Sequence, residues 1–324
     1  RKTYMTVNIE DAIAEKDADS KPIAGTAVAA AVSVEEAVKT DKEITEKDTA
    51  RKSKVEIAAE LGISVAHEVN KGMVYLVGAG PGDEDLMTRK RLKLLREADV
   101  VVYDNLASSS LLNEVRDDAE LIYAGKRSSN HHLKQYETNE LLVKLALEGK
   151  NVVRLKGGDP YIFGRGGEER EALIGSGIGF QVIPGITAAS GCSAYAGIPL
   201  THRDHAQSAR FVSIHGKEGA IELNWHSLCE AKQTLVFYMG LSLCPLISEQ
   251  LQHAGMPASM PVALIERGTT PAQRVISGTL AQLPSLAEGV ASPALIMVGS
   301  VVTLGQKLAW FGHSSPPINP AAAS

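Results

Sequence analysis

The sequence predicts an α/β protein made of two α/β regions, preceded by a polar extension. Three observations carry this. From residue 73 onward, short apolar runs alternate with loops and helical patterns, and strand, loop, helix in repetition is the order that builds a parallel sheet. The apolar runs stop abruptly at glycines, acids or cations, as at 78–83, 104–105, 125–127 and 157–160. Hydrophobic residues make up 44% of the 324 and charged residues 22%, an ordinary globular balance with length for two or three domains.

Composition narrows the function classes. Aromatic residues are only 5% of the chain, so the core is aliphatic. A formal charge of −5 argues against a nucleic-acid binder, yet leaves room for a local basic pocket that takes an anionic small molecule. Cys192, Cys229 and Cys244 form no CxxC pair, and the odd count suits a reducing, cytoplasmic compartment. No apolar run reaches the roughly 18–20 residues that span a bilayer, and no signal-peptide pattern opens the chain. The chain begins at Arg1 rather than Met, which leaves sequence upstream open.

Residues 1–72 hold a single aromatic, Tyr4, and mix both signs of charge, the composition of a disordered or loosely helical extension. Within it, 55–69 has the spacing of a short amphipathic helix that could dock elsewhere. The expected organisation is this extension, an N-terminal α/β domain at 73–200, a C-terminal α/β domain at 201–312 and a disordered Pro/Ala/Ser-rich tail at 313–324.

The first strand is 73–77, running into Gly78-Ala79-Gly80-Pro81-Gly82-Asp83. Three glycines let that loop pass close to a ligand, but the spacing is neither a dinucleotide fingerprint nor a P-loop. Thr88 stands as N-cap of a helix through Ala98, with Leu92 and Leu95 on the inner face. The second strand, 99–103, ends at Asp104, which is either an acid or base at a strand's carboxyl end or the cap of the next turn. A helix at 111–115 and a strand at 120–124 follow, ending at Gly125-Lys126-Arg127; these cations are either functional or a solvated turn. A helix at 138–149 leads to the strand 151–155.

That strand stops at Gly157-Gly158-Asp159-Pro160, either a tight βα turn or a ligand loop. The next helix, 168–174, opens with acidic residues in its first turn. Strand 180–183 then gives way to the small-residue turn 184–190, where a backbone could approach a bulky ligand. Ser190 has no partner histidine and sits in no GxSxG elbow, so nucleophilic serine catalysis is rejected. His202 and His205 lack a third ligand, so no metal is expected. The second region supplies strands at 210–215, 233–239, 261–265, 273–278 and 294–298, with helices at 245–254 and 304–310.

Read together, the loops are more specific than any one alone. YLVGAGPGD at 75–83, VVVYDNL at 100–106, GKR at 125–127, VRLKGGDPYIFGRGGEE at 153–169, VIPGITAASG at 182–191 and GIPLTHRD at 197–204 occur in one order, and FYMGL at 237–241 and ERGT at 266–269 extend it. This pattern closely resembles the uroporphyrinogen-III C-methyltransferase family of the tetrapyrrole methylase superfamily, over roughly 73–312.

The resemblance implies two α/β domains with a cleft between them, usually in a homodimer, with S-adenosylmethionine in the cleft. It implies two methylations of uroporphyrinogen III, through precorrin-1 to precorrin-2, leaving S-adenosylhomocysteine and feeding siroheme or cobalamin synthesis. No nucleic acid and no membrane enter that picture. The family's cofactor contacts fall on Pro81, Gly157, Gly158, Asp159, Ile162, Thr187, Ala188, Met239 and Gly268. Its proton acceptor falls on Asp104 and its proton donor on Lys126. Residues 1–72 do not resemble the NAD-binding dehydrogenase and ferrochelatase module that precedes this domain in siroheme synthase-type relatives, so a methyltransferase alone is expected.

The chemistry is consistent with these residues. A methyl group on a sulfonium is already activated, so transfer to an electron-rich pyrrole carbon demands near-attack geometry more than a strong base. A later proton transfer suits a carboxylate and an amine, with general acid–base help typically about 10²–10⁴-fold. The substrate is a polycarboxylate, and Arg127, Arg154, Lys156, Arg165 and Arg203 lie near predicted strand or loop ends; each is either part of a substrate wall or merely solvated. A later precorrin methylase and a catalytically dead S-adenosylmethionine sensor are the alternatives.

Overall fold

The computed structural model describes residues 71–104, 109–125, 135–214 and 223–312. The chain divides into two units, Arg1–Asn70 and Lys71–Ser324, and every described residue belongs to the second. The expected helix at 55–69 and the tail at 313–324 lie outside the described residues, as do Lys126 and Arg127.

Two five-stranded sheets organise the second unit. The first contains β1 (Met73–Gly78), β2 (Val100–Tyr103), β3 (Glu120–Tyr123), β4 (Val152–Lys156) and β5 (Gly179–Ile183) in the order β3-β2-β4-β1-β5. All four pairings are parallel, as alternation of strands and helices requires. Side chains alternate across the sheet, and so does the burial. Val77, Val101, Val153, Leu155 and Ile183 pack on one face against α1 (Arg89–Glu97). Val74, Leu76, Val100, Val102 and Val152 pack on the other against α2 (Gln135–Leu147) and α3 (Gly166–Gly175). Burial on both faces explains why these strands read as continuous apolar runs. Each fully buried Val, Leu or Ile contributes about 1.5–3 kcal/mol.

The second sheet contains β6 (Ser208–Ser213), β7 (Gln233–Tyr238), β8 (Pro261–Glu266), β9 (Arg274–Thr279) and β10 (Ala294–Val298) in the order β6-β7-β10-β8-β9. Only β6–β7 is parallel; the other three pairings are antiparallel. One face packs on α5 (Cys244–His253). The other, through Val236, Ala263, Ile265 and Met297, packs on α4 (Ala188–Ala196), which leaves the end of β5. Among the described residues, no helix is long and apolar enough to cross a membrane.

Several local expectations change. Thr88 does cap α1, its hydroxyl accepting from the Arg91 amide. The buried stripe, however, is Arg91, Leu94, Leu95 and Ala98, and Leu92 is only half-buried. An arginine begins the inner face, which hydropathy would have sent outward. The helix expected at 111–115 is a 3-10 turn, Ser109–Glu114, and 304–310 contains only the four-residue α-helix Gly305–Leu308. The turn at 184–190 ends in a helix, because α4 already begins at Ala188. Its small residues conceal the apolar stripe that burial reveals at Ala189, Cys192 and Ala196.

Candidate functional site

The carboxyl ends of β1, β4 and β5 are locked together backbone to backbone. Gly158 and Gly80 exchange amide hydrogen bonds, at 2.8 and 3.1 Å. A Cβ on Gly78 would stand 2.5 Å from the Gly185 nitrogen and 2.6 Å from the Gly158 carbonyl oxygen, and a Cβ on Gly185 would run into that same oxygen. Glycine is therefore needed because three chains meet. Asp159 pins the junction from within: one carboxylate oxygen accepts from the Tyr161 amide at 2.8 Å, the other from the Gly185 amide at 3.0 Å. The GDP turn is thus a brace between two strand ends.

The second sheet closes on this junction. Tyr238, the last residue of β7, sets its phenolic oxygen at the start of α4, where it accepts from the Ala189 amide at 2.8 Å and shares a 2.7 Å hydrogen bond with the Thr187 hydroxyl. Thr187 itself makes no side-chain cap, so Tyr238 supplies the oxygen that an N-cap normally provides. Phe163, from the loop after β4, lies 4.9 Å from the Tyr238 ring. After β8, Thr269 accepts from the Asp83 amide at 2.9 Å, and Gly268 packs on Cys192. Tyr195 donates to Asp83 at 2.5 Å. Pro81 lies against Gly191, where a Cβ would come within 2.5 Å of its ring.

Backbone strain concentrates here. Among the described residues, six non-glycine residues have positive φ, and five of them, Phe163, Arg165, Met239, Arg267 and Thr269, lie in the loops after β4, β7 and β8. Such conformations cost on the order of 1–3 kcal/mol each and persist where surrounding structure fixes them, often at ligand sites. Met239 is also exposed, an apolar side chain held out by a left-handed backbone.

Beneath the junction lies a buried charged network. Arg154 and Lys156 sit on one face of β4, 6% and 5% exposed, and Glu169 of α3 is fully buried. One Glu169 oxygen accepts from Lys156 Nζ at 2.8 Å and Arg154 Nε at 3.2 Å. The other edge of the Arg154 guanidinium donates to Asp104 at 3.2 Å. Burial, and then the neighbouring Arg154, pull the Lys156 ammonium below its ordinary value, while Glu169 opposes them.

The structure thus brings Pro81, Gly157, Gly158, Asp159, Thr187, Ala188, Met239 and Gly268 to the facing ends of the strands, with Ile162 half-buried in the loop after β4. Asp104 ends β2 and joins the network below. Arg154 and Lys156 are corrections. Expected either on a substrate wall or solvated, they are buried and paired, because β4 is the central strand and α3 covers that face. Arg165 is exposed but bound to its neighbour Glu168, at 2.8 and 2.5 Å. Arg203 is not gathered with the rest. It lies on the exposed turn closed by the His202–Ala206 bridge, where Gln207 donates to the Lys232 carbonyl, at the amino ends of β6 and β7. Tyr238 and Met239 lie at the opposite end of β7. The His202 and His205 rings meet edge to face, and among the described residues no group of three His, Cys, Asp or Glu could hold a metal.

Sequence reading missed Glu169, Tyr238, Thr269 and Tyr195. Glu169 left no signal in the sequence, since it and Glu168 are adjacent acids that only packing tells apart. Gly166, Glu169 and Leu173 are the buried positions of α3, at helical spacing, whereas Glu168 faces solvent.

Comparison with known proteins agrees with this architecture. Residues 73–284 match the family model of Tetrapyrrole (Corrin/Porphyrin) Methylases. Siroheme synthase 3 of Aeromonas hydrophila is 66% identical over 242 residues, which is 75% of this chain and 52% of the relative. The chain therefore spans about half the length of the curated relatives it matches. A uroporphyrin-III-C-methyltransferase from Thermus thermophilus is 39% identical with TM-score 0.63, covering 75% of this chain and 99% of that one. A second structure of that Thermus enzyme, complexed with S-adenyl homocysteine, is 38% identical with TM-score 0.63, covering 72% and 100%.

Proposed function

Because this chain belongs to the tetrapyrrole (corrin/porphyrin) methylase family, we propose that it is an S-adenosylmethionine-dependent C-methyltransferase acting on uroporphyrinogen III. On this reading it methylates twice, through precorrin-1 to precorrin-2, for siroheme or cobalamin synthesis. The observation that carries the proposal is the junction of glycine loops. Gly78 and Gly185 let the loops after β1, β4 and β5 close backbone to backbone, Gly158 takes a left-handed turn there, and Gly82 comes as close to Gly268 and Thr269. A bulky adenosine can pack on such a surface, so the residues present fit the group.

When bound, S-adenosylmethionine supplies an activated methyl, whose transfer leaves the C–S electron pair on sulfur. The protein's part is to hold and orient. Asp159 fixes the β4 loop against β5 through two backbone amides. Met239 and Phe163 offer apolar surface at the rim. Asp104, held by Arg154, is the proposed acceptor of the proton that the alkylated ring must lose, and Lys126 the proposed donor. Arg165, exposed at the start of α3 beside Glu168, is a proposed contact for a substrate carboxylate. A homodimer, a cytoplasmic setting and domains at 73–200 and 201–312 are part of the same proposal. The two separate sheets and the free thiols of Cys192, Cys229 and Cys244 support the last two.

Incubation with uroporphyrinogen III and S-adenosylmethionine is the test. Absorbance of dipyrrocorphin-type products is expected; binding of the cofactor without turnover would instead identify a sensor. Asp159→Ala should weaken S-adenosylhomocysteine affinity about tenfold, since each hydrogen bond to a charged group contributes about 1.5–3 kcal/mol to the loop. Unchanged affinity by calorimetry would remove Asp159 from the site.

A further inference from the structure

We propose that Glu169 is a positioning residue for proton transfer: buried under the site, it holds Arg154 so that Arg154 in turn holds the Asp104 carboxylate. This rests on the proposed role of Asp104 as proton acceptor.

The geometry is a relay of charge. Glu169 Oε1 gathers three donors: Lys156 Nζ at 2.8 Å, Arg154 Nε at 3.2 Å and Gln135 Nε2 at 3.4 Å. Its second oxygen is buried and has no hydrogen-bond partner among the described residues. Arg154 is fixed on every side. Nε goes to Glu169, one terminal nitrogen to the Leu155 carbonyl at 3.0 Å and the Val102 carbonyl at 3.5 Å, and the other to Asp104. The planar fork leaves Arg154 little freedom once Nε is held, so the Glu169 contact sets the direction of the tine that meets Asp104.

The charge count makes Glu169 more than a tether. Among the described residues, the network holds two cations, Arg154 and Lys156, and two carboxylates, Glu169 and Asp104. Burying such groups is costly, and apolar replacements of buried ion pairs are often neutral or stabilising. A need for stability alone does not explain four charged groups at the carboxyl end of a central strand. That is where open α/β sheets place their ligands. Without Glu169, two cations among the described residues face one carboxylate, and Lys156, which feels the Asp104 charge, competes with Arg154 for it.

The test compares full-length variants under steady-state conditions, after confirming that the wild type produces dipyrrocorphin; a wild type without turnover would sink the functional reading rather than this one. Glu169→Gln should lower kcat about ten- to a hundredfold, with KM for uroporphyrinogen III and S-adenosylhomocysteine affinity within about twofold, one contact of this kind being worth roughly that factor. In an Asp104→Asn background the same change should lower kcat no further, because Glu169 acts through Asp104. Lys156→Met combined with Glu169→Gln leaves, among the described residues of the network, Arg154 opposite Asp104 and should recover kcat to within about fivefold of wild type. Should Glu169→Gln alone not fold, this charge-balanced double variant carries the test. An equal loss in the Asp104→Asn background, a loss in KM rather than kcat, or a folded but inactive double variant overturns the proposal.

Discussion

Gly268 shows how much a single position can demand. A Cβ there would run into the Cys192 sulfur, and Cys192 is fully enclosed in α4. Burial pushes that thiol up to about 12, so it is a packing group rather than a nucleophile. Gly268→Ala should destabilise the protein by about 1–3 kcal/mol, the usual cost of overpacking. Cys192→Ala added to it should recover most of the loss, since contacting residues couple. Urea melts of the three variants measure this, and additive losses would show that the loop backbone is the limit. At this scale the sequence was partly legible. The glycines, Asp159 and Pro81 could be picked out because turn chemistry is local. The burial of Glu169 could not be read from its identity, because Glu168 beside it is equally acidic and lies on the exposed face, paired with Arg165.

Among the elements, α4 depends most on what lies outside it. Its N-terminus is capped by Tyr238 from the other sheet, and its face is covered by Val236, Ala263 and Ile265. Tyr238→Phe keeps the ring against Phe163 but removes the oxygen that takes the Ala189 amide. We expect a loss of about 1–2 kcal/mol, as for deletion of an N-cap. Thermal melts should show it, together with faster amide exchange at Ala189; unchanged exchange there would mean that water replaces the cap. This helix was invisible in the sequence for a physical reason. Ala, Ser, Gly and Cys carry little hydrophobic contrast, so a face made of them has no period to read. The strands were legible because β1, β2 and β4 are buried on both faces and read as unbroken apolar runs. Yet Arg154 and Lys156, expected on a substrate wall or in solvent, lie on the face of β4 that α3 covers.

Over the whole molecule, Lys156 and Tyr195 are among the groups that give folding stability a signed dependence on alkaline pH. Lys156 has a depressed folded value, so between that value and the unfolded value of about 10.4 the unfolded chain binds more protons, and stability rises with pH. Tyr195 is the reverse. Its hydrogen bond to Asp83, and then burial, raise its phenol to about 12. Between about pH 10 and 12 the folded chain therefore binds more protons, and stability falls as pH rises. Denaturant midpoints from pH 8 to 11 should show wild type gaining on Lys156→Met as pH rises toward 10.4, and losing its advantage over Tyr195→Phe above about pH 10. Parallel curves would mean that neither group is perturbed by the fold.

The sequence alone determined the strands, the loops that end them and the family resemblance those loops carry, because backbone preference and apolar runs are short-range properties. Only the tertiary structure decided what the charged residues at the strand ends do. Burial of Arg154 and Lys156 follows from the place of β4 between β1 and β2 and from the packing of α3 over one face. The turn carrying Arg203 is placed by the amino ends of β6 and β7. These are long-range consequences of sheet order and register, and no local pattern encodes which of two neighbouring charges will lose its water.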